Sequence, residues 1–177
     1  VTGVQTCALP ISGRNRIWRK FLMDAIELDP SWNNGNYTEQ PRGMRSAIGF
    51  LMMAQSAPLY WQKQFPTIAA ADKYVEEQVA SRWKTYDAND MLYHYHSIED
   101  YNPEPHLADI TAPLLAINSA DDFVNPPELP MMQALIKKVK HARFVLLPIT
   151  EATRGHGTHS LPEIWGGELV TFLKQIE

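Results

Sequence analysis

Pro113-Leu114-Leu115-Ala116-Ile117-Asn118-Ser119-Ala120-Asp121-Asp122-Phe123-Val124-Asn125-Pro126 is the stretch on which the fold turns. Residues 114–118 form a short apolar run opened by a proline, which predicts a buried strand. Residues 119–126 then read as a loop rich in small and acidic residues. Downstream, residues 127–138 predict a helix with Leu129, Met132, Leu135, Ile136 and Val139 inward. Residues 144–147 predict a second buried strand. Ser160-x-x-Glu163 reads as a capping box opening a last helix, with Trp165, Leu169, Phe172, Leu173 and Ile176 inside. Strand, helix, strand, helix defines an α/β class, a parallel sheet with flanking helices.

Two parallel strands joined by a crossover helix end on the same edge of their sheet, and ligands bind at that edge in open α/β folds. The loop after the first strand carries Asp121 and Asp122. The loop after the second carries Arg154-Gly155-His156-Gly157-Thr158-His159. An acidic pair and a histidine pair therefore emerge side by side. A carboxylate next to an imidazole fixes its tautomer and stabilises its protonated form, as the acid and base of a nucleophilic triad do. Gly155 and Gly157 permit a tight turn presenting His156. Competing readings are acidic residues that only cap or turn their loop, and a metal held by His156 and His159 with Asp121 or Asp122. No further His/Glu cluster supports the metal, so neither metal nor cofactor is expected.

Upstream, residues 14–109 read as helices. Trp18, Phe21, Leu22, Ala25 and Leu28 recur at helical spacing, and Asp29-Pro30 ends that helix. Asn33-Asn34-Gly35-Asn36 is a loop. Pro41 suits a helix start, followed by the stripe Met44, Ala47, Ile48, Leu51 and Met52. Thr67 can cap a helix with Tyr74, Val75, Val79 and Trp83 inward, and Asp87 one carrying Met91, Leu92 and Tyr95. His94 and His96 point apart on that helix. Tyr60 and Trp61 are core or cap-lining groups, and Arg154 is a surface charge or a contact for a substrate carboxylate.

The chain has 177 residues, 45% hydrophobic and 20% charged, with net charge −4. This is a globular composition, and an acidic balance without a basic run argues against nucleic acid or an anionic membrane as partner. No apolar run approaches the ~18 residues of a membrane span. The single cysteine, Cys7, excludes an internal disulfide framework. Residues 1–12, VTGVQTCALPIS, have neither a clear period nor the shape of a signal peptide. The string resembles the translated read-through of a sequencing adaptor, as found in fragmentary assemblies. On that reading it is non-native, Cys7 is discounted, and the natural chain extends upstream of residue 13. An ordinary N-terminal tail is the alternative. The domain reading is thus a non-native tail at 1–12, a helical cap or lid at 13–112, and the strand–helix–strand–helix part at 113–177.

Asp122-x-x-x-Pro126 followed by Gly155-His156 resembles the acid and histidine pattern at the C-terminal end of α/β-hydrolases. Ala25-Ile26-x-x-Asp29-Pro30-x-Trp32-x-x-Gly35-x-Tyr37, then Pro41-x-Gly43, resembles the homoserine O-acetyltransferase branch. The resemblance covers residues 14–177. It implies Asp122 as acid, with Asp121 the alternate, and His156 as base, with His159 the alternate. It implies a serine nucleophile on a Gly-x-Ser-x-Gly elbow upstream of the acid. No such motif occurs here, so the nucleophile is expected in sequence before residue 13. Two departures stand out. Met52-Met53-Ala54-Gln55-Ser56 lacks the arginine of that branch, and Gly155-His156-Gly157 replaces its Gly-His-Asp, which leaves the acceptor unassigned.

The resemblance implies acyl transfer or ester hydrolysis on a small-molecule acyl ester or acyl donor, with this chain inactive alone. A non-catalytic α/β module binding a small molecule or partner is the rival. Homo-oligomer formation is left open, and a cytoplasmic location is favoured without a signal that fixes it.

Overall fold

The computed structural model describes residues 13–176, so the adaptor-like residues 1–12 and Cys7 lie outside the described residues. Along the chain, helices α1 (Gly13–Glu27), α2 (Gly43–Ala54), α3 (Pro58–Gln64), α4 (Ile68–Trp83) and α5 (Ala88–His96) come first. Then follow strand β1 (Leu114–Ser119), helix α6 (Met131–Leu135), strand β2 (Ala142–Leu147) and helix α7 (Pro162–Ile176). The described residues pack as a helical unit, 13–54 with 62–101, and a strand unit, 55–61 with 102–176. Among them no helix is long and apolar enough to cross a membrane.

In the helical unit α1 packs on α2 and touches α5, while α4 packs on α2. Leu22, Met23 and Ile26 of α1 meet Met44, Ala47, Ile48 and Met52 of α2 in a buried apolar core. Each Leu, Ile or Met side chain among them contributes about 1.5–3 kcal/mol by leaving water. The two helices approach closely at Gly43, where a Cβ would stand 1.7 Å from the Ala25 carbonyl oxygen. Thr67 caps α4 by accepting from the Ala70 N–H at 3.2 Å, and Asp87 caps α5 by accepting from Asn89 and Asp90. The Asn33–Asn34 loop takes left-handed φ values of 48° and 52°, a region that asparagine tolerates better than most residues.

The inner face of α1 differs from the expected stripe. It is Asn15, Arg19, Leu22, Met23 and Ile26, whereas Phe21 and Leu28 are exposed. Arg19 takes an inward position because its guanidinium lies over the rings of Trp18 and Tyr95, 5.0 and 5.7 Å from their centroids. Phe21 instead stacks on Phe50, with ring centroids 5.6 Å apart. On α4, Val79 is buried but Val75 is exposed.

In the strand unit β1 and β2 pair in parallel, Leu114 opposite Ala142 and Ser119 opposite Leu147. The strands are half-buried rather than fully buried. Each has only the other as partner among the described residues, and α7 packs on β1. The helix expected over residues 127–138 is also shorter. Pro130 disfavours helical backbone at Leu129, so α6 starts at Met131 and passes into a 3-10 turn, Ile136–Lys138. Leu135 and Val139 are buried as expected, while Leu129 is exposed. The capping box is not formed. A 3-10 turn, Gly157–Ser160, comes first, and the Ser160 hydroxyl donates back to the Gly157 carbonyl at 2.8 Å. α7 then opens at Pro162, a residue suited to a first helical position.

Candidate functional site

The register fixes where the chemistry stands. Ser119 and Leu147 end their strands opposite one another, and the Ala120 N–H donates to the Leu147 carbonyl at 2.9 Å. The acidic loop and the histidine loop therefore leave the same sheet edge.

The acidic loop folds over Asp122. Its Oδ1 accepts the backbone N–H groups of Val124 (2.7 Å) and Asn125 (3.1 Å), a local turn that an Asp side chain forms readily. Its Oδ2 accepts from the Asn125 side-chain amide at 3.2 Å and lies 3.0 Å from Nδ1 of His156. Asn118 Nδ2 donates to the Asn125 carbonyl at 2.8 Å, tying the loop to β1. The Asp122 side chain is 3% exposed and that of His156 14%. Burial alone would raise the Asp122 carboxyl. The hydrogen bond and charge of His156, with the N–H groups of Asn125 and Val124, outweigh burial and hold the pKa below the ordinary value.

A carboxylate only accepts, so the shared hydrogen sits on His156 Nδ1. In the neutral ring the lone pair is then on Nε2. Such a ring can take a proton at Nε2 while Asp122 stabilises the resulting cation. His159 lies beside it, ring centroids 5.2 Å apart, with its Nδ1 directed to the His156 carbonyl.

Asp121 turns the other way. Its Oδ2 accepts from the Thr153 hydroxyl at 2.8 Å and the Gly155 N–H at 3.1 Å, and its Oδ1 from the Ser119 hydroxyl. Gly155 has φ +56°, and a Cβ there would stand 2.3 Å from the Ser56 carbonyl oxygen. Only glycine fits this conformation and approach. Arg154 is neither free nor merely on the surface. One guanidinium nitrogen donates to the carbonyls of Glu151, Ala152 and Thr153, and the group lies 3.6 Å from the Tyr60 ring centroid.

Sequence reasoning passed over Asn125, Thr153 and the Ser56 contact. The Asp-x-x-Asn spacing of Asp122 and Asn125 was a usable local signal for the first. Thr153 is 1% exposed and pairs across 32 positions, so no local pattern marks it. Elsewhere, His96 sits between Glu27 and Glu99 at 3.0 and 3.2 Å, while His94 is exposed. Among the described residues no group of three or more His, Cys, Asp or Glu side chains is arranged to hold a metal.

Over the portion it covers, the chain has the α/β-hydrolase fold. No protein-family model matches the chain, and no curated protein does. Among solved structures it is similar to esterase E22, with TM-score 0.80 and 20% identity over 94% of this chain and 52% of that chain. It is similar to the acetyl esterase MekB, with TM-score 0.75 and 16% identity over 96% and 52%. It is also similar to MGS-M2, an α/β-hydrolase enzyme from a Medee basin deep-sea metagenome library, with TM-score 0.64 and 16% identity over 96% and 54%. This chain thus spans about half the length of each structure.

Proposed function

We propose that this chain carries the acid and base of an esterase of the α/β-hydrolase fold, acting on a small-molecule acyl ester. The carrying observation is the buried Asp122 carboxylate, 3.0 Å from His156 Nδ1 at the carboxyl end of two parallel strands. In this reading His156 Nε2 takes the proton of a serine hydroxyl as the oxygen attacks the ester carbonyl. The proton then passes to the departing alkoxide, leaving an acyl-enzyme. Water repeats the sequence and releases the acid. Backbone N–H groups hold the oxyanion. No Gly-x-Ser-x-Gly occurs in residues 13–177, so serine and oxyanion hole are assigned to sequence upstream.

A second reading, acyl transfer to an amino-acid acceptor, draws on the stretch 25–43. That stretch has an architectural explanation. Asp29 accepts from the N–H groups of Ser31 and Gly43, Trp32 Nε1 donates to Asn89 at 2.9 Å, and the Tyr37 hydroxyl donates to Asp87 at 2.6 Å. With no arginine in residues 52–56, hydrolysis is the better reading.

The test compares this chain with one extended by its upstream sequence, using an activated acetyl ester with and without an amino-acid acceptor. Turnover is expected only in the extended protein, independent of acceptor. His156→Ala should lower kcat there by about 10³-fold or more. Turnover by the 177-residue chain that is lost on replacing one of its own serines overturns the reading.

A further inference from the structure

We propose that Asp121 is a positioning residue for His156, holding the histidine loop so that the ring meets Asp122. The proposal rests on the acid–base reading of that pair. A second carboxylate next to Asp122 competes for the same imidazole unless its charge is engaged elsewhere. Here it is engaged by the Ser119 hydroxyl from the end of β1, by the Gly155 N–H, and by the Thr153 hydroxyl, whose one hydrogen it shares with the Thr150 carbonyl at 2.9 Å. The last two donors belong to the segment that leads directly into His156. Asp121 therefore ties the end of β1 to the residue preceding the base.

The tie acts on a backbone with little freedom. Gly155 lies in the left-handed region, with the Ser56 carbonyl on one side and the Asp121 carbonyl 3.2 Å from a would-be Cβ. Thr153 is fully buried. Beyond His156, the Arg154 N–H donates to Thr158 Oγ1 at 2.8 Å and the Thr158 N–H to the Gly155 carbonyl at 3.0 Å, closing the turn. Hydrogen bonds to an ionised carboxylate are the strong ones. Removing the charge of Asp121 loosens the segment that aims the ring, while Asp122 keeps its own backbone donors at Val124 and Asn125.

The test reads the ring in the 177-residue chain without turnover. The Nδ1–H proton of His156 is followed by NMR, since a carboxylate-bonded imidazole proton is shifted downfield and protected from exchange. In the unmodified chain this resonance is expected, and Asp122→Asn should remove it. Asp121→Asn should leave the chain folded by circular dichroism and accelerate exchange of the proton by about tenfold, the factor that one charge-assisted hydrogen bond represents. Thr153→Val should act in the same direction, and Thr153→Ser, which keeps the hydroxyl, should restore protection. Unchanged exchange in a folded Asp121→Asn chain overturns the positioning role. If that variant does not fold, Thr153→Val decides, and unchanged exchange there overturns it equally. No resonance in the unmodified chain instead removes the Asp122–His156 pairing, and the proposal with it.

Discussion

The helical unit and the strand unit are built on opposite principles. The first buries Leu22, Met23, Ile26, Met44, Ala47 and Ile48 to 1% exposure or less. The second has two half-buried strands, and the groups it buries most include Ser119, Asp122, Thr153 and Thr158. Apolar packing is non-directional and tolerates small shifts of side chains. A buried polar network is directional, and each unmet group costs about 1–3 kcal/mol. The helical unit is thus suited to stability, and the strand unit to holding particular atoms in particular places.

The sharpest way to break this contrast uses the two close backbone approaches. Gly43→Ala should cost the helical unit about 3 kcal/mol, the upper end of overpacking, because its Cβ meets the Ala25 carbonyl oxygen at 1.7 Å. Gly155→Ala should cost the strand unit a similar amount, adding left-handed strain to the Ser56 clash. Urea unfolding measures both. Only Gly155→Ala should also disturb the His156 ring, as read by its NMR resonance, and an equal effect of Gly43→Ala on that ring would dissolve the distinction.

Truncations sharpen it. Ile26→Ala, at a fully buried position, should cost about 3 kcal/mol. Ile117→Ala, on the half-buried β1, should cost only about 1 kcal/mol because fewer apolar contacts are lost. Matching losses in thermal unfolding would mean that the strand unit depends on apolar packing as much as the helical one does.

Acid unfolding isolates the polar network. Asp122 titrates below its ordinary value in the folded chain, so between its folded and unfolded pKa values the unfolded state binds more protons. Its stabilisation is complete above the unfolded value of about 4 and is lost as pH falls through the lower folded value. Asp122→Asn should be less stable at neutral pH, by about 1–3 kcal/mol, and its stability should fall less steeply below pH ~4. Parallel pH profiles for the two chains would refute the assignment.

The smallest effect is expected at the exposed pair Arg45–Glu76, 2.7 Å apart on the helical unit. Arg45→Ala should change stability by about 0.5 kcal/mol or less. A larger change in unfolding midpoint would show that surface charge, not only the core, supports that unit.

The local rules served well where the determinant is local. Thr67 and Asp87 cap the helices they were expected to cap. Met44, Ala47, Ile48 and Met52 of the predicted stripe are buried while its Leu51 is half-buried, and the strand–helix–strand order is present. They failed where a neighbour outside the window decides. Arg19 turns inward on α1 because Tyr95 of another helix offers a ring. The Ser160 hydroxyl serves the preceding turn instead of α7.

The candidate site divides in the same way. Sequence by itself determined that an acidic pair and a glycine-flanked histidine leave the ends of two consecutive strands, because strand order and loop composition are local properties. The resemblance at Asp122-x-x-x-Pro126 and Gly155-His156 favoured one carboxylate and one ring, but which atoms actually meet was decided by the tertiary structure. Asp121 and Asp122 have the same chemistry and adjacent positions. They part because Asp122 curls onto the N–H groups of Val124 and Asn125, which aims its second oxygen at His156, while Thr153 and Gly155 claim Asp121. That choice depends on Ser119 standing opposite Leu147, a register set by the packing of the whole sheet edge and written in no single stretch of the chain.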